Sequence, residues 1–163
     1  MDDEALEAIA RHAEAIATVR EFAARAGAER VIALVDRGED HEPAMLECAG
    51  AGDIQLTDEG RTWTIPAAAP SPAPARPLPE IRPAPASAIS ADPETGEVSA
   101  PLGAVANLAR AVLALARTFG GRSVATADFP TSDPGLPMTI AAREGEPLLL
   151  AVGEGRFVLP DPG

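Results

Sequence analysis

Residues 43–66, PAMLECAGAGDIQLTDEGRTWTIP, contain three short runs rich in apolar residues, separated by two turns that carry glycine. Each run has the length and composition of a β-strand, and both turns are too short for a parallel crossover. The stretch therefore predicts an antiparallel meander, and this meander decides the fold because it occurs twice. Its pattern returns 94 residues later in residues 137–160, PMTIAAREGEPLLLAVGEGRFVLP.

The two stretches align without a gap, and both begin and end with proline. The aligned apolar pairs are Leu46 with Ile140, Ile54 with Leu148, Leu56 with Leu150, Trp63 with Phe157 and Ile65 with Leu159. Upstream, a shift of 93 residues places Gly27 on Gly120 and Val31 on Val124. An internal duplication of one helix–meander unit explains the recurrence, and so does chance agreement between two segments with similar hairpin lengths.

A helical pattern precedes each meander. In residues 4–26 apolar side chains recur at spacings of three and four, which places them on one face of a helix that Gly27 ends. Residues 101–119 predict a second helix, and apolar strands follow the two helices at residues 30–36 and 122–129. The sequence therefore predicts an α+β fold in which two helices pack on one face of a mostly antiparallel sheet. Two helix–meander repeats are the arrangement that a duplication would give.

Proline marks the boundary between the two units. Residues 66–101 contain ten of the seventeen prolines, which cannot continue a helix or a central strand. We therefore predict a first helix–meander unit in residues 1–66, an extended proline-rich linker in residues 67–100 and a second unit in residues 101–163. The two units are expected to share one sheet or core. Residues 89–99 can form a small hairpin, and the sequence leaves open whether the linker is docked or free.

The chain is acidic, with 13 basic residues, 25 acidic residues and a formal net charge of −12. This charge repels nucleic acid phosphates and anionic membrane surfaces, so neither is an expected partner. No stretch approaches the roughly 20 consecutive apolar residues that span a bilayer. The acidic start lacks the basic region of a secretory signal, and a single cysteine cannot form an internal disulfide. We therefore expect a cytoplasmic protein.

The sequence contains no P-loop, no HExxH, no GxSxG and no paired CxxC motif. We therefore expect a protein that is not an enzyme and has no catalytic, cofactor-binding or metal-binding residues. His41 lies among carboxylates in a charged turn, where a solvated side chain is favoured over a metal ligand. Cys48 is expected to be a small buried apolar residue rather than a nucleophile. The carboxylates of Asp58 and Glu59 are expected to be solvated in a hairpin turn.

Three residues are candidates for contact with a protein partner. His12 lies between Ile9 and Ile16 on the apolar side of the first helix, and Arg20 shares that side. Trp63 is the only tryptophan and lies in a short strand that is expected at a sheet edge. A structural role is the alternative for two of them. His12 can be a hydrogen-bonded residue at the rim of a core or dimer interface, and Trp63 can belong to the core between sheet and helix.

Three segments, ARAGAERVIALVDRG, LARAVLALARTFGGRSVATADF and LPMTIAAREGEPLLLAV, together cover about a third of the chain. Their order of helix and strands resembles the Roadblock/LC7 fold and its profilin- and GAF-like relatives. The chain departs from that pattern because two further strands and a proline-rich segment precede the second helix, and because no closing helix follows. The resemblance implies a non-catalytic dimerising platform or a small sensory pocket, and it assigns no functional residue.

From these observations we expect a non-enzymatic protein-interaction or scaffolding module that forms a homodimer. The alternative is a small-molecule-sensing regulatory domain with a pocket between helix and sheet. Residue patterns leave open the identity of the partner or ligand and the pathway.

Overall fold

The computed structural model describes most of the chain. The described residues are 3–36, 38, 40, 42–49, 52–67, 73–82, 89–92, 94–95, 98–99, 102–133, 135–153 and 155–159.

The described residues form three helices, α1 (Asp3–Arg11), α2 (Ala13–Ala26) and α3 (Leu102–Phe119). The prediction of one continuous helix over residues 4–26 is therefore wrong. The helix is interrupted at His12, whose backbone departs from helical geometry with φ −110° and ψ 19°. This turn carries the imidazole of His12 toward the sheet, where it meets a buried carboxylate that is described below.

Eight strands form one antiparallel sheet in the order β10-β9-β8-β7-β1-β2-β3-β4. The strands are β1 (Arg30–Val35), β2 (Ala44–Cys48), β3 (Ile54–Asp58), β4 (Arg61–Ile65), β7 (Val124–Phe129), β8 (Met138–Arg143), β9 (Leu148–Val152) and β10 (Gly155–Leu159). A separate pair of two-residue strands, β5 (Ser90–Ala91) and β6 (Val98–Ser99), forms the small hairpin that the sequence allowed. The predicted α+β class with an antiparallel sheet is confirmed.

The two halves of the sheet have matching registers. Each strand from β1 to β4 has a counterpart 94 residues later, and every residue pair of the first half except Cys48 with Ile54 recurs with the same offset in the second. At the centre, β1 pairs with β7 so that Ile32 lies opposite Thr126, and these two residues are themselves 94 apart. The register of β1 with β7 is therefore the one that a two-fold symmetry axis through the middle of the sheet would produce.

The shift of 93 residues that places Val31 on Val124 is wrong for the strands. Val31 is buried, whereas Val124 lies on the opposite face of the sheet, so Ala125 is the true counterpart of Val31. The extra residue lies between the second helix and its strand, where Gly120 and Gly121 both have positive φ angles. Glycine adopts this backbone region without steric cost.

One face of the sheet packs on the helices. Helix α2 contacts β1 and β2, helix α3 contacts β7 and β8, and the two helices contact each other. Their largest buried side chains interleave with alternate residues of the strands in one continuous core. The buried residues that contribute most volume include Ile16, Val19, Phe22, Leu46, Ile54, Leu56, Leu108, Leu115, Phe129, Met138 and Ile140.

Residues 73–82 of the proline-rich segment are docked on the helices. The backbone N–H of Arg76 donates to the hydroxyl of Thr18 in α2 at 3.0 Å, and its guanidinium donates to the carbonyl of Thr118 in α3 at 2.7 Å. The same guanidinium forms an ion pair with Glu14 at 3.0 Å. Arg76 therefore links α2 and α3 to the proline-rich segment.

Candidate interaction surface

The second face of the sheet is apolar, and no described helix packs on it. Side chains alternate between the two faces of a strand, so the residues between the buried core positions must point away from the helices. We name the resulting apolar surface the open face. The open face comprises all strand residues that point away from the helices, and its apolar members are Ile32, Leu34, Met45, Val124, Ala141, Leu149, Ala151 and Val158.

The open face has a continuous central row. Val158, Leu149, Ala141, Thr126 and Ile32 are direct cross-strand neighbours over five successive strands. Because neighbouring strands lie about 4.8 Å apart, this row is about 19 Å long. Leu149 is 52% exposed and Val158 is 67% exposed, while the more central residues are half-buried by their neighbours. Contiguous exposed apolar surface of this kind marks interaction sites in soluble proteins.

Charged side chains on this face are few and are satisfied within the chain. Arg30 forms an ion pair with Glu47, and Asp128 accepts a hydrogen bond of 2.7 Å from the hydroxyl of Thr139. Arg143 lies 3.5 Å from Glu146, and Arg156 donates to two backbone carbonyls. Three arginines against two carboxylates give the strand residues of this face a net charge of +1, in a chain of net charge −12.

The two edges of the sheet differ in character. Strand β10 exposes apolar side chains on both of its faces, since Phe157 is 43% exposed on the helix side and Val158 lies on the open face. Strand β4 is polar, with an ion pair between Arg61 and Glu4 and a hydrogen bond of 2.9 Å between the hydroxyls of Thr57 and Thr62. An apolar edge strand is more prone than a polar edge strand to pair with another strand or to be buried by a partner.

His12 lies in a buried polar cluster at the break between α1 and α2. Its Nε2 atom lies 2.9 Å from Oδ2 of Asp58, and Arg11 donates to the same oxygen at 3.0 Å. Asp58 is 2% exposed at the end of β3, so the expectation of a solvated turn carboxylate is wrong. Its side chain lies on the helix face because it continues the alternation of Ile54 and Leu56. A buried carboxylate requires such partners, so the geometry gives this cluster a structural role.

The structure places the other two candidate interface residues on the helix side of the sheet. Arg20 donates from its guanidinium to the carbonyl of Pro66 at 2.9 Å. Trp63 packs partly against the core and lines a cavity of about 190 Å³ together with Asp58 and Glu7. His12 thus contacts the carboxylate of Asp58, and Trp63 lines the same cavity as Asp58. None of the three belongs to the open face, and their role as partner contacts stays a prediction.

Sequence reasoning missed the open face, although a signal for it was present. A strand that is covered on one side alternates apolar and polar residues, whereas the runs VIALV in β1 and LLLAV in β9 are apolar throughout. Runs of this kind indicate burial on both faces. In the monomer only one face of these strands is covered by the described helices.

Cys48 lies on the helix face of β2 and is fully buried. Burial raises the pKa of its thiol, and the positive charge of Arg20 opposes that shift without cancelling it. A protonated buried thiol is a poor nucleophile. His41 lies outside the described residues, and within them no group of three or more His, Cys, Asp or Glu side chains is placed to hold a metal ion.

A second concave feature lies between α3 and the strands β9 and β10. It is a cavity of about 500 Å³ lined by Leu113 and Arg117 of the helix, by the turn 145–147, and by Leu148, Val158 and Leu159. This cavity is on the helix side of the sheet edge that β10 forms.

No family model, curated protein or solved structure matches this chain. The resemblance to the Roadblock/LC7 fold and its relatives therefore stays a prediction. Among the described helices, none combines the length and the hydropathy that crossing a bilayer requires.

Proposed function

We propose that the protein is a non-enzymatic interaction module that forms a homodimer through its open face. The observation that carries this proposal is an uncovered apolar sheet surface, nearly neutral, on a chain that is otherwise strongly acidic. We place it in the cytoplasm, where a buried free thiol such as that of Cys48 is ordinary.

The size of the sheet supports a stable contact. Strands about 4.8 Å apart, with about 3.3 Å per residue along each strand, give an eight-stranded sheet of five-residue strands a flat area of roughly 34 by 17 Å. This area of roughly 600 Å² approaches the about 800 Å² per partner that a standard protein interface buries. Two such faces can pack as the layers of a β-sandwich, which lie about 10 Å apart.

The charge distribution favours a second copy as the occupant. Two chains of net charge −12 repel each other over most of their surfaces. The open face, with a net charge of +1, is where that repulsion is smallest, because the remaining −13 lies elsewhere on the chain. Arg30 and Arg143 already have carboxylate partners within each copy, and Asp128 and Arg156 form hydrogen bonds with neutral groups of the same chain.

The matched registers of the two halves support a related proposal about origin. A helix–meander unit that pairs with itself through its first strand, and is then duplicated in one chain, yields the two-fold register seen around Ile32 and Thr126. The unit boundaries at residues 1–66, 67–100 and 101–163 belong to this proposal.

The test compares two leucines of equal exposure. Leu149 on the open face is 52% exposed and Leu6 on helix α1 is 53% exposed. Sedimentation equilibrium of the wild-type chain is expected to show a dimer at micromolar concentration. Leu149→Glu is expected to raise the dimer dissociation constant by about 30-fold or more, since it places a charge in an apolar interface. Leu6→Glu should leave it unchanged.

Either of two outcomes would count against the dimer. The wild-type chain would remain monomeric up to its solubility limit, or both leucine variants would weaken association equally. The second outcome would show that the added negative charge by itself, and not disruption of the open face, had weakened association.

The second candidate function is the small-molecule-sensing regulatory domain. The cavity of about 500 Å³ between α3 and the sheet favours it, because ligand sites of small molecules commonly have volumes of about 300–1,000 Å³. A small-molecule-sensing domain was expected to have its pocket between a helix and the sheet, and this cavity lies between α3 and the sheet.

A further inference from the structure

Arg117 differs from the other described arginines in the contacts that its side chain makes with the described part of the chain. The remaining described arginines all form hydrogen bonds, ion pairs or electrostatic contacts with the chain. No hydrogen bond or ion pair joins the guanidinium of Arg117 to any residue that the structure describes. Arg117 is exposed in the last turn of α3, so its guanidinium is open to an anion from solution.

The surroundings of Arg117 are apolar on one side. It lines the cavity beside α3 together with the side chains of Leu113, Leu148 and Leu159. Leu113 and Leu148 are buried, so they form a fixed apolar wall. The one acidic residue in the lining is Glu146, and its carboxylate lies 3.5 Å from Arg143. Among the described lining residues, none forms an ion pair with Arg117.

The turn opposite the helix leaves the cavity accessible. Gly145 has a φ of +82°, which favours glycine, and a Cβ atom placed there would meet no other atom within 4 Å. The backbone thus borders open space at this point.

We propose that this cavity binds a small amphipathic monocarboxylate, with its carboxylate on the guanidinium of Arg117 and its hydrocarbon chain along Leu113, Leu148 and Leu159. This proposal rests on the second candidate function and is independent of the homodimer.

The chemistry of the lining favours this class of ligand over other anions. A guanidinium and a carboxylate are planar and pair through two parallel hydrogen bonds. A phosphomonoester carries nearly two negative charges, and one arginine would leave part of that charge uncompensated beside apolar walls. The aliphatic wall contributes only when the ligand has a hydrocarbon portion to bury.

The experiment uses octanoate as the probe, titrated into the full-length chain by isothermal calorimetry. We expect saturable binding of one octanoate per chain. Methyl octanoate, which has the same hydrocarbon chain without the charge, should bind at least about tenfold more weakly because it loses a charge-assisted hydrogen-bonded pair. Arg117→Gln should weaken octanoate binding by at least about tenfold for the same reason.

Arg110→Gln is the matched control. Arg110 lies on the same helix, is exposed, and bonds to Asn107 outside the cavity. Its substitution should leave octanoate affinity unchanged. Because Arg117 has no partner among the described residues, Arg117→Gln should keep the wild-type melting temperature, so that lost binding reports on the site and not on folding.

Three results would overturn the proposal. They are the absence of saturable octanoate binding, equal binding of the acid and its methyl ester, and binding that is insensitive to Arg117→Gln. A short apolar peptide with a free C-terminus carries the same carboxylate, and Arg117-dependent binding of that peptide without binding of octanoate would also reject a small-molecule ligand. Sedimentation of the same samples reports separately on the dimer.

Discussion

At the scale of single residues, the burial of Cys48 should make the stability of the protein depend on pH. The chain contains no lysine and no tyrosine. Cys48 and the α-amino group are therefore the only groups with ordinary pKa values between about 7.5 and 10. Burial raises the pKa of the Cys48 thiol in the folded protein. The unfolded chain thus loses its thiol proton at a lower pH than the folded chain does.

This difference predicts a loss of stability in alkali. Below the thiol pKa of the unfolded chain, about 8.5, the full stability is present, since both states hold the proton. As the pH rises from there through the raised pKa of the folded state, the free energy of unfolding should fall by up to about 1.4 kcal/mol per pH unit. Urea denaturation between pH 8 and about 10 measures this slope. In Cys48→Ala the slope should be absent, and an unchanged slope would contradict the assignment.

His12 shows what residue-level reasoning can and cannot predict. Its position on the apolar side of a helix indicated a hydrogen-bonded residue at the rim of a core, and the structure places it in such a setting. Its partner Asp58 lies 46 residues away in the sequence. An acidic residue next to Glu59 and Gly60 has the local pattern of a solvated turn, so only the tertiary fold reveals that this carboxylate is buried.

At the scale of elements, alternation and glycine predicted the strands closely. The predicted run at residues 54–57 became β3 with one added residue, and the helix predicted at 101–119 begins one residue later as α3. The break at His12 was not predictable, because residues 4–26 satisfy helical periodicity without interruption. Docking of the linker was not predictable either, since Arg76 finds its partners in two helices that are distant in sequence.

We expect the docked proline-rich segment to contribute to the stability of the folded protein. Arg76→Ala removes an ion pair with Glu14 and a hydrogen bond to the carbonyl of Thr118, and we expect it to lower the free energy of unfolding by about 1–2 kcal/mol. Arg82→Ala is the control, because Arg82 is exposed and contacts Glu80 within the same segment. It should change stability by less than about 0.5 kcal/mol. Equal effects in urea denaturation would show that the segment does not depend on Arg76.

At the scale of the whole molecule, the recurrence at a spacing of 94 residues predicted two similar units but not how they join. The order of strands in a sheet depends on which edges pair, and short alternating runs specify that weakly. The structure joins the two halves of the sheet through β1 and β7, so that α2 and α3 cover the same face. This arrangement also leaves the opposite face uncovered by the described helices, which is the basis of the proposed dimer.

The most direct test of that dimer measures the solvent exposure of two leucine methyl groups by nuclear magnetic resonance. In the monomer Leu149 and Leu6 have nearly equal exposures, 52% and 53%. A soluble paramagnetic agent should therefore relax their methyl protons equally in dilute samples. At concentrations where the dimer forms, we predict that Leu149 becomes as protected as the buried Leu150 while Leu6 stays accessible. Equal relaxation of Leu149 and Leu6 at every concentration would contradict the account.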